Sequence, residues 1–545
     1  MLTETSDYKT LYGNFRWDIP ARFNIATACC DRYADGSNRV ALIYVDEDGK
    51  ATRTSFDEMR ELSSRFANVL KADGLSRGDR VAVFLSQSLE LPIVHLAAFR
   101  SGLVSVPLFT LFGEDALEFR LANSGAKAIV TDETGWEKLS KIRDRLPYLQ
   151  DIYVTSEAVH AGAKSFWSSI ETASEQFTTL DTSVDDPAII IYTSGTTGNP
   201  KGALHAHRVL LGHLPNVEMV HDFLPKPGDV MWTPADWAWI GGLFDVLMPA
   251  WHHGIPVVAH RFKKFTPEAA FQLLQDFEVR NTFLPPTALK MMRTVDSPEK
   301  RWNFRLRSVA SGGESLGHEL LEWGQRTFGL TINEFYGQTE CNMTVSSCAD
   351  LMPICPGAIG KPVPGHTVAI VDDEGNRLAP GEQGHIAVRA PDPVQFLRYW
   401  NNEAATQRKY IGDWLITGDT GTVDPEGYVH FVGRSDDVIT SAGYRIGPGE
   451  IEDCILQHPA VKMVAVVGAP DAQRTEIVVA VVVLKDGVKG DPALRREIQD
   501  HVRTRLAAHE YPREVYFVEE LPMTTTGKVI RKELRTLVTR WRENA

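Results

Sequence analysis

The stretch Thr193-Ser194-Gly195-Thr196-Thr197-Gly198-Asn199-Pro200-Lys201-Gly202 concentrates groups that can hold an anion. Glycines let backbone N–H groups approach a charged oxygen closely, hydroxyls add donors, and a lysine adds charge. Gly195, Gly198 and Lys201 stand three apart and Lys201 is followed by Gly202. A Walker loop needs four residues between its glycine and its Gly-Lys-Ser/Thr, so this is a different phosphate loop. Other patches are dense in polar residues that packing does not require. Ser311-Gly312-Gly313-Glu314-Ser315 can wall a flat ligand, and Tyr336-Gly337-Gln338-Thr339-Glu340 offers a ring to stack on a base and a carboxylate for a hard cation. Thr417-Gly418-Asp419 reads as an acid after a turn, and Gly433-Arg434-Ser435-Asp436-Asp437 pairs charges. Pro522-Met523-Thr524-Thr525-Thr526-Gly527-Lys528 sets a lysine on a Gly/Thr loop near the C-terminus. Taken singly, each also reads as a turn or as solvated surface.

These patches need elements to hold them. The apolar run Ala188 to Tyr192 leads into the first loop and reads as a buried strand. Before it, a helix over Glu58 to Lys71, a strand at Val81 to Leu85, a helix at Glu90 to Arg100, a strand at Val104 to Val106, a helix near Asp115 to Ser124 and a strand at Ala126 to Thr131 alternate. After it, the pattern predicts a helix over His207 to Val220, a strand at Asp229 to Thr233, a helix at Leu243 to Trp251 and a strand at Ile255 to Ala259. Further strands fit Asn281 to Leu284, Arg307 to Ser311 and Leu330 to Phe335. Such alternation predicts an α/β fold: helix-covered, mostly parallel sheets with ligands at the carboxyl ends of strands. From about Gly357 to 430, short strands with Gly and Pro turns, such as Val368 to Val371 and His385 to Val388, suggest a small β-barrel or sandwich. The chain past Gly433 holds strands at Val464 to Val467 and Ile477 to Leu484 and a basic helix from Pro492 to Leu506, a small α+β unit. The expected division is a large domain over 1–433, with the barrel-like part at 357–430, and a small domain over 434–545.

At 545 residues the chain exceeds one core. A formal charge of −14 argues against a general nucleic-acid or membrane-surface binder. No basic and apolar leader opens the chain and no apolar run reaches a membrane span, so a cytoplasmic protein is expected. Cys341, Cys348 and Cys355 recur every seven residues without the close pairs of a zinc site, and read as small buried thiols.

Together and in this order, the polar patches resemble the adenylate-forming, AMP-binding superfamily over essentially the whole chain. The resemblance implies ATP, Mg²⁺ and coenzyme A as partners, with a small-molecule carboxylic acid. It puts Thr193, Ser194, Gly195, Thr196, Thr197, Gly198 and Lys201 over the β- and γ-phosphates of ATP. Gly312, Gly313 and Glu314 would border the adenine, and Tyr336, with Gly337 and Gln338, would stack on it. Thr339 would meet the α-phosphate and Glu340 would hold Mg²⁺. Asp419, with Arg434 beside it, would accept from the ribose hydroxyls. Asp436 would be the hinge of the small domain, and Lys528 would bridge carboxylate and α-phosphate during adenylation. Neutralising charge in this way lets a carboxylate attack an anionic phosphorus.

The segment Ser441-Ala442-Gly443-Tyr444-Arg445-Ile446-Gly447-Pro448 resembles the medium-chain acyl-CoA synthetase and acetyl-CoA synthetase branch. There Gly443 would line the pantetheine tunnel and Arg445 would lie towards CoA phosphate. Trp237 and Trp239 resemble the aromatic segment flanking the acyl and pantetheine channels, with core packing the other reading of each ring. Gly337 stands where acetyl-CoA synthetases carry tryptophan, which implies an open pocket and an acid larger than acetate, medium-chain fatty, branched or aromatic. Cys341-Asn342 departs from the small pair common after this motif, so Asn342 meets either a polar group of the acid or backbone. The leading reading is an AMP-forming acyl-CoA synthetase. A ligase loading a carrier protein and a silent nucleotide-binding scaffold are the competing ones, and a homodimer stays open.

Overall fold

The computed structural model describes every residue except 1, 157, 159, 194–198, 314, 315, 317, 356, 435–438, 447, 508, 524–528, 544 and 545. Two large sheets are built as the alternation predicts. In one, Val104–Pro107, Arg80–Phe84, Ala128–Thr131 and Asp151–Val154 run parallel beside Pro187–Thr193. In the other, Ile332–Gln338, Ser308–Gly312, Asn281–Phe283, Met231–Trp232, Val257–His260 and Val40–Val45 run parallel, with antiparallel strands only at the edges.

Alternation along one strand shows why these segments are apolar throughout. Val81 and Val83 enter the core shared with the helices Phe56–Ala72 and Glu90–Arg100, while Ala82 and Phe84 point the opposite way into a second cluster. A strand covered on both faces must be hydrophobic at every position. The helix Phe56–Ala72 starts on a capping box: the Glu58 N–H donates to Ser55 Oγ at 3.1 Å and the Ser55 N–H to the Glu58 carboxylate at 2.7 Å.

Three expectations change. The helix expected straight after the first loop is preceded by a strand, Lys201–Ala206, antiparallel to Pro187–Thr193. The phosphate-type stretch is therefore followed by an antiparallel strand rather than directly by a helix. Thr417-Gly418-Asp419 is not a turn either: it lies within the strand Trp414–Val423, where Gly418 has φ +84° and the pairing with Gly384–Arg389 slips. A bulge aims the acid there. The helix expected over Leu243 to Trp251 begins with a π-helical turn, Leu243–Leu247.

Val368–Val371, Gly384–Arg389, Trp414–Val423, Tyr410–Ile411 and Val429–Arg434 make a five-stranded antiparallel sheet whose order leaves free edges, an open half-barrel. A separate five-stranded sheet follows, from Ile439–Ser441, Tyr444–Ile446, Val461–Asp471, Thr475–Leu484 and Glu514–Val518. It is seated on the large sheets at several points. Ile439, Val466 and Ile498 share a hydrophobic cluster with Ala82 and Val104. The Gly113 N–H donates to the Leu506 carbonyl at 2.8 Å, and a Cβ at Gly113 would meet the Arg505 backbone at 2.2 Å. No described helix is long and apolar enough to cross a membrane.

Candidate active site

Strand ends converge on one cavity of about 740 Å³. Thr193 and Lys201 are register partners at the mouth of the hairpin, so antiparallel pairing alone brings both to the cavity wall. Between them, Ser194, Gly195, Thr196, Thr197 and Gly198 lie outside the described residues. Tyr399 pairs with Ala203 on the flanking strand and lies under the Lys201 amine, 5.3 Å from the ring centre.

Strand Ile332–Gln338 turns back at Thr339–Glu340 into Cys341–Ser346, with Gln338 opposite Cys341. This hairpin presents Thr339 and Glu340 to the cavity. Tyr399 donates its hydroxyl to the Glu340 carboxylate, and burial together with that negative charge raises the Tyr399 phenol's pKa. The same phenol thus links the lysine of one hairpin to the carboxylate of the other. Behind them Lys409 donates to Gln338 Oε1 at 2.9 Å and to the carbonyls of Ile416 and Thr417 at 3.1 Å, while Gln338 donates to the Thr417 carbonyl at 2.8 Å.

Gly312 ends the strand Ser308–Gly312, and a Cβ there would lie 2.7 Å from the Phe335 carbonyl oxygen. Gly313 follows with φ +95°, a conformation suited to glycine. Both line the cavity, whereas Glu314 lies outside the described residues. Tyr336 donates to Asp419 Oδ2 at 2.6 Å, and Asp419 stands opposite Arg434 in the strand register. Asp436 and Lys528 are also outside the described residues, and of the Arg434 and Arg445 side chains nothing is described.

The small domain supplies a wall of its own. Ala442 and Gly443, with φ +53° and +79°, form the tight turn between paired Ser441 and Tyr444. Positive φ at both central residues makes it a type I′ hairpin, so Gly443 has a backbone reason as well as a cavity position. Tyr444 stacks on His509 at 3.9 Å and meets Phe109 at 5.8 Å and Trp239 at 6.0 Å. All four rings line the cavity.

The two tryptophans part company. Trp239 faces the cavity, but Trp237 is fully buried in the central core and does not line it. Core packing accounts for Trp237. Gly337 lines the cavity, yet a Cβ on it would strike the Met343 nitrogen at 2.3 Å and the Asn342 Cα at 2.5 Å. Glycine stands there because the returning strand passes so close, which corrects the simple view that it only keeps a pocket open. Asn342 lines the cavity too, and donates to the buried carboxyl of Asp245 at 2.7 Å.

Tyr399, Lys409, Phe109, His509 and Asp245 were not singled out by sequence reasoning. Asp245 alone left a signal, as the one acid in the apolar run Ile240 to Trp251. The others come from segments distant in the chain whose motifs carry no mark.

The profile of the AMP-binding enzyme family matches residues 31–400, and that of the AMP-binding enzyme C-terminal domain matches residues 450–528. The chain belongs to the AMP-binding enzymes. The mitochondrial acyl-coenzyme A synthetase ACSM3 of Rattus norvegicus is 36% identical to it, over 97% of this chain and 93% of its own. The acetyl-coenzyme A synthetase of Bacillus subtilis (strain 168) is 35% identical over 97% of this chain and 94% of its own. Among solved structures, the acyl-CoA synthetase of Brucella canis has a TM-score of 0.74 and 34% identity, covering 98% of this chain and 99% of that one. Among the described residues of this AMP-binding enzyme, Thr193, Lys201, Gly312, Gly313, Thr339, Glu340 and Gly443 line one cavity walled by both matched regions, whereas Tyr336 and Asp419 are not among its lining residues.

Proposed function

We propose that this enzyme is an AMP-forming acyl-CoA synthetase that joins a carboxylic acid larger than acetate, medium-chain fatty or aromatic, to coenzyme A. The observation that carries the reading is the shared cavity: Thr193 and Lys201, Gly312 and Gly313, Thr339 and Glu340 line it together with Gly443 and Tyr444 of the small domain. The family's reaction needs ATP, Mg²⁺ and CoA. A carboxylate oxygen attacks the α-phosphorus and diphosphate leaves; the thiol sulfur then attacks the acyl carbon and AMP leaves.

The residues suit these groups. Glycine at 312 and 313 leaves a flat wall for adenine, with Tyr336 close behind it. Asp419, steadied by the Tyr336 hydroxyl, would accept from ribose hydroxyls, with Arg434 opposite it in register. The buried Glu340 carboxylate, oriented by Tyr399, would hold Mg²⁺, which neutralises phosphate charge. Thr339 and Lys201 would contact phosphate oxygens. The seated small domain supports a thioester-forming posture in which Gly443 borders the pantetheine path and Arg445 lies towards CoA phosphate. Adenylation then calls for the small domain, 434–545, to turn about Asp436 and bring Lys528 to the large domain, 1–433. Trp239 and Asn342 are assigned to the acid and pantetheine channels.

A panel of acids from C2 to C12 with branched and aromatic members, assayed for AMP release and CoA thiol consumption, tests this. Both products rising together with an acid above C2 is the expected result. AMP release with transfer only to a pantetheinylated carrier protein would establish the carrier-loading alternative. No AMP with any acid would sink the synthetase reading.

A further inference from the structure

One wall of the cavity carries a polar pair that adenylate formation does not use. Asp245 sits on the π-helical turn Leu243–Leu247, 2% exposed, within an otherwise apolar run. Single π-turns recur at functional sites. The Asn342 amide donates to Asp245 Oδ1 at 2.7 Å. His213 Nε2 is 3.7 Å from the same oxygen, too far for a hydrogen bond. His213 Nδ1 lies 2.7 Å from the Val209 carbonyl, so the ring proton belongs there and Nε2 faces Asp245 as a bare lone pair. Nε2 is buried with no hydrogen-bond partner among the described residues. Burial pushes the Asp245 carboxyl well above the usual carboxylate range, and only Asn342 opposes that.

The other carboxyl oxygen faces a gap. A Cβ on Gly241 would lie 3.5 Å from Asp245 Oδ2 and 3.3 Å from the Phe283 ring, and Gly241, Asp245, Phe283, Phe335 and Asn342 all line the cavity. Glycine at 241 leaves Oδ2 a side-chain-free approach between aromatic rings. A pocket for a plain alkyl or phenyl tail has no use for a buried carboxyl that has, among the described residues, one hydrogen-bond donor and no Lys or Arg ion pair, since burying it unsatisfied costs stability.

We infer that Asp245 and Asn342 form a polar end to the acyl pocket, and that the acid activated here carries a hydroxyl or amino group that donates to Asp245. This rests on the acyl-CoA synthetase reading and adds the substrate's second functional group to it. It also gives the Cys341-Asn342 departure a purpose, because Asn342 holds Oδ1 and so turns Oδ2 to the ligand.

Matched acids test it on the full-length enzyme: hexanoate against 6-hydroxy- and 6-aminohexanoate, and benzoate against its 2-, 3- and 4-hydroxy and amino derivatives. At least one polar member should exceed its parent in kcat/KM by about 10- to 100-fold, chiefly through KM. Asp245→Leu should cost the polar acid at least about tenfold more in kcat/KM than its parent, so that the preference disappears. Asp245→Asn should keep part of a hydroxyl preference and lose an ammonium preference, which tells the two donors apart. Asp245→Leu leaves the Asn342 amide unpartnered, so a double variant with Asn342→Leu, checked by thermal melting, covers a folding failure. Parents equal to or better than every polar partner in the wild type would overturn the inference, as would an equal loss on both members in Asp245→Leu. Titration calorimetry of the same pairs reads the pocket without turnover. Absence of AMP with all acids would count against the synthetase reading, and equal binding of parent and polar acids against the polar pocket.

Discussion

The Tyr336 hydroxyl donates to Asp419 Oδ2 across 2.6 Å, joining a strand of the nine-stranded sheet to the bulge of the half-barrel. The carboxylate is thereby held where two sheets meet. Burial and the Asp419 charge keep the phenol protonated as the donor.

Tyr336→Phe removes that donor and little volume. It should raise KM for ATP by about tenfold with KM for the acid unchanged, in line with loss of one charge-assisted hydrogen bond. Asp419→Ala should raise it further. Steady-state kinetics with each substrate varied in turn gives the answer, and equal movement of both KM values would reduce Tyr336 to a structural tie.

Lys528→Ala should suppress acyl-adenylate formation by about 100-fold or more, as loss of transition-state charge neutralisation does, yet spare thioester formation from supplied acyl-adenylate. Gly443→Leu should do the reverse. Because Gly443 has φ +79°, the leucine also strains the turn by about 1–2 kcal/mol, so Gly443→Ala serves as the backbone control. Diphosphate exchange and single-turnover thioester assays separate the half-reactions; parallel losses in both would count against a turning small domain.

Gly337→Ala should destabilise the fold by about 1–3 kcal/mol, because its Cβ meets the Met343 nitrogen at 2.3 Å. Gly337→Trp should lower activity on all acids alike. A clean shift towards acetate with an unchanged melting temperature would show that the strand at 342–343 yields easily.

His509 packs on Tyr444 where the small domain meets the large one, and burial lowers its pKa to about 3 from 6.5. Arg120 is the charged group that adds to the lowering. Between those values the opened or unfolded chain binds a proton that the closed one does not, so stability rises with pH and falls as pH drops below about 6.5. His509→Phe keeps a ring and removes the proton. The unfolding free energy of the variant, from urea titration, should fall less than that of the wild type between pH 7.5 and pH 5, by at most about 1.4 kcal/mol per pH unit. Identical slopes would show that His509 takes its proton without opening.

Much of the fold was legible because two-sided burial forces apolar strands and one-sided burial forces periodic helices. Residues 90–100 and 368–371 end where the pattern ends them. The strand Lys201–Ala206 was missed because six residues carry too little periodicity to separate a strand from the helix beyond it.

Local spacing carried the resemblance to the family: the Gly/Thr/Lys loop, Thr339–Glu340 and the Gly443 turn each form a pattern within a few consecutive residues, since backbone N–H groups and tight turns are local. Which long-range partners complete them was decided only in the fold. Tyr399 reaches Glu340 across 59 positions and Asn342 reaches Asp245 across 97, and no local pattern encodes a contact between side chains so far apart. The same holds for Trp237 and Trp239, two residues apart and chemically alike, of which packing buries one and leaves the other facing the cavity.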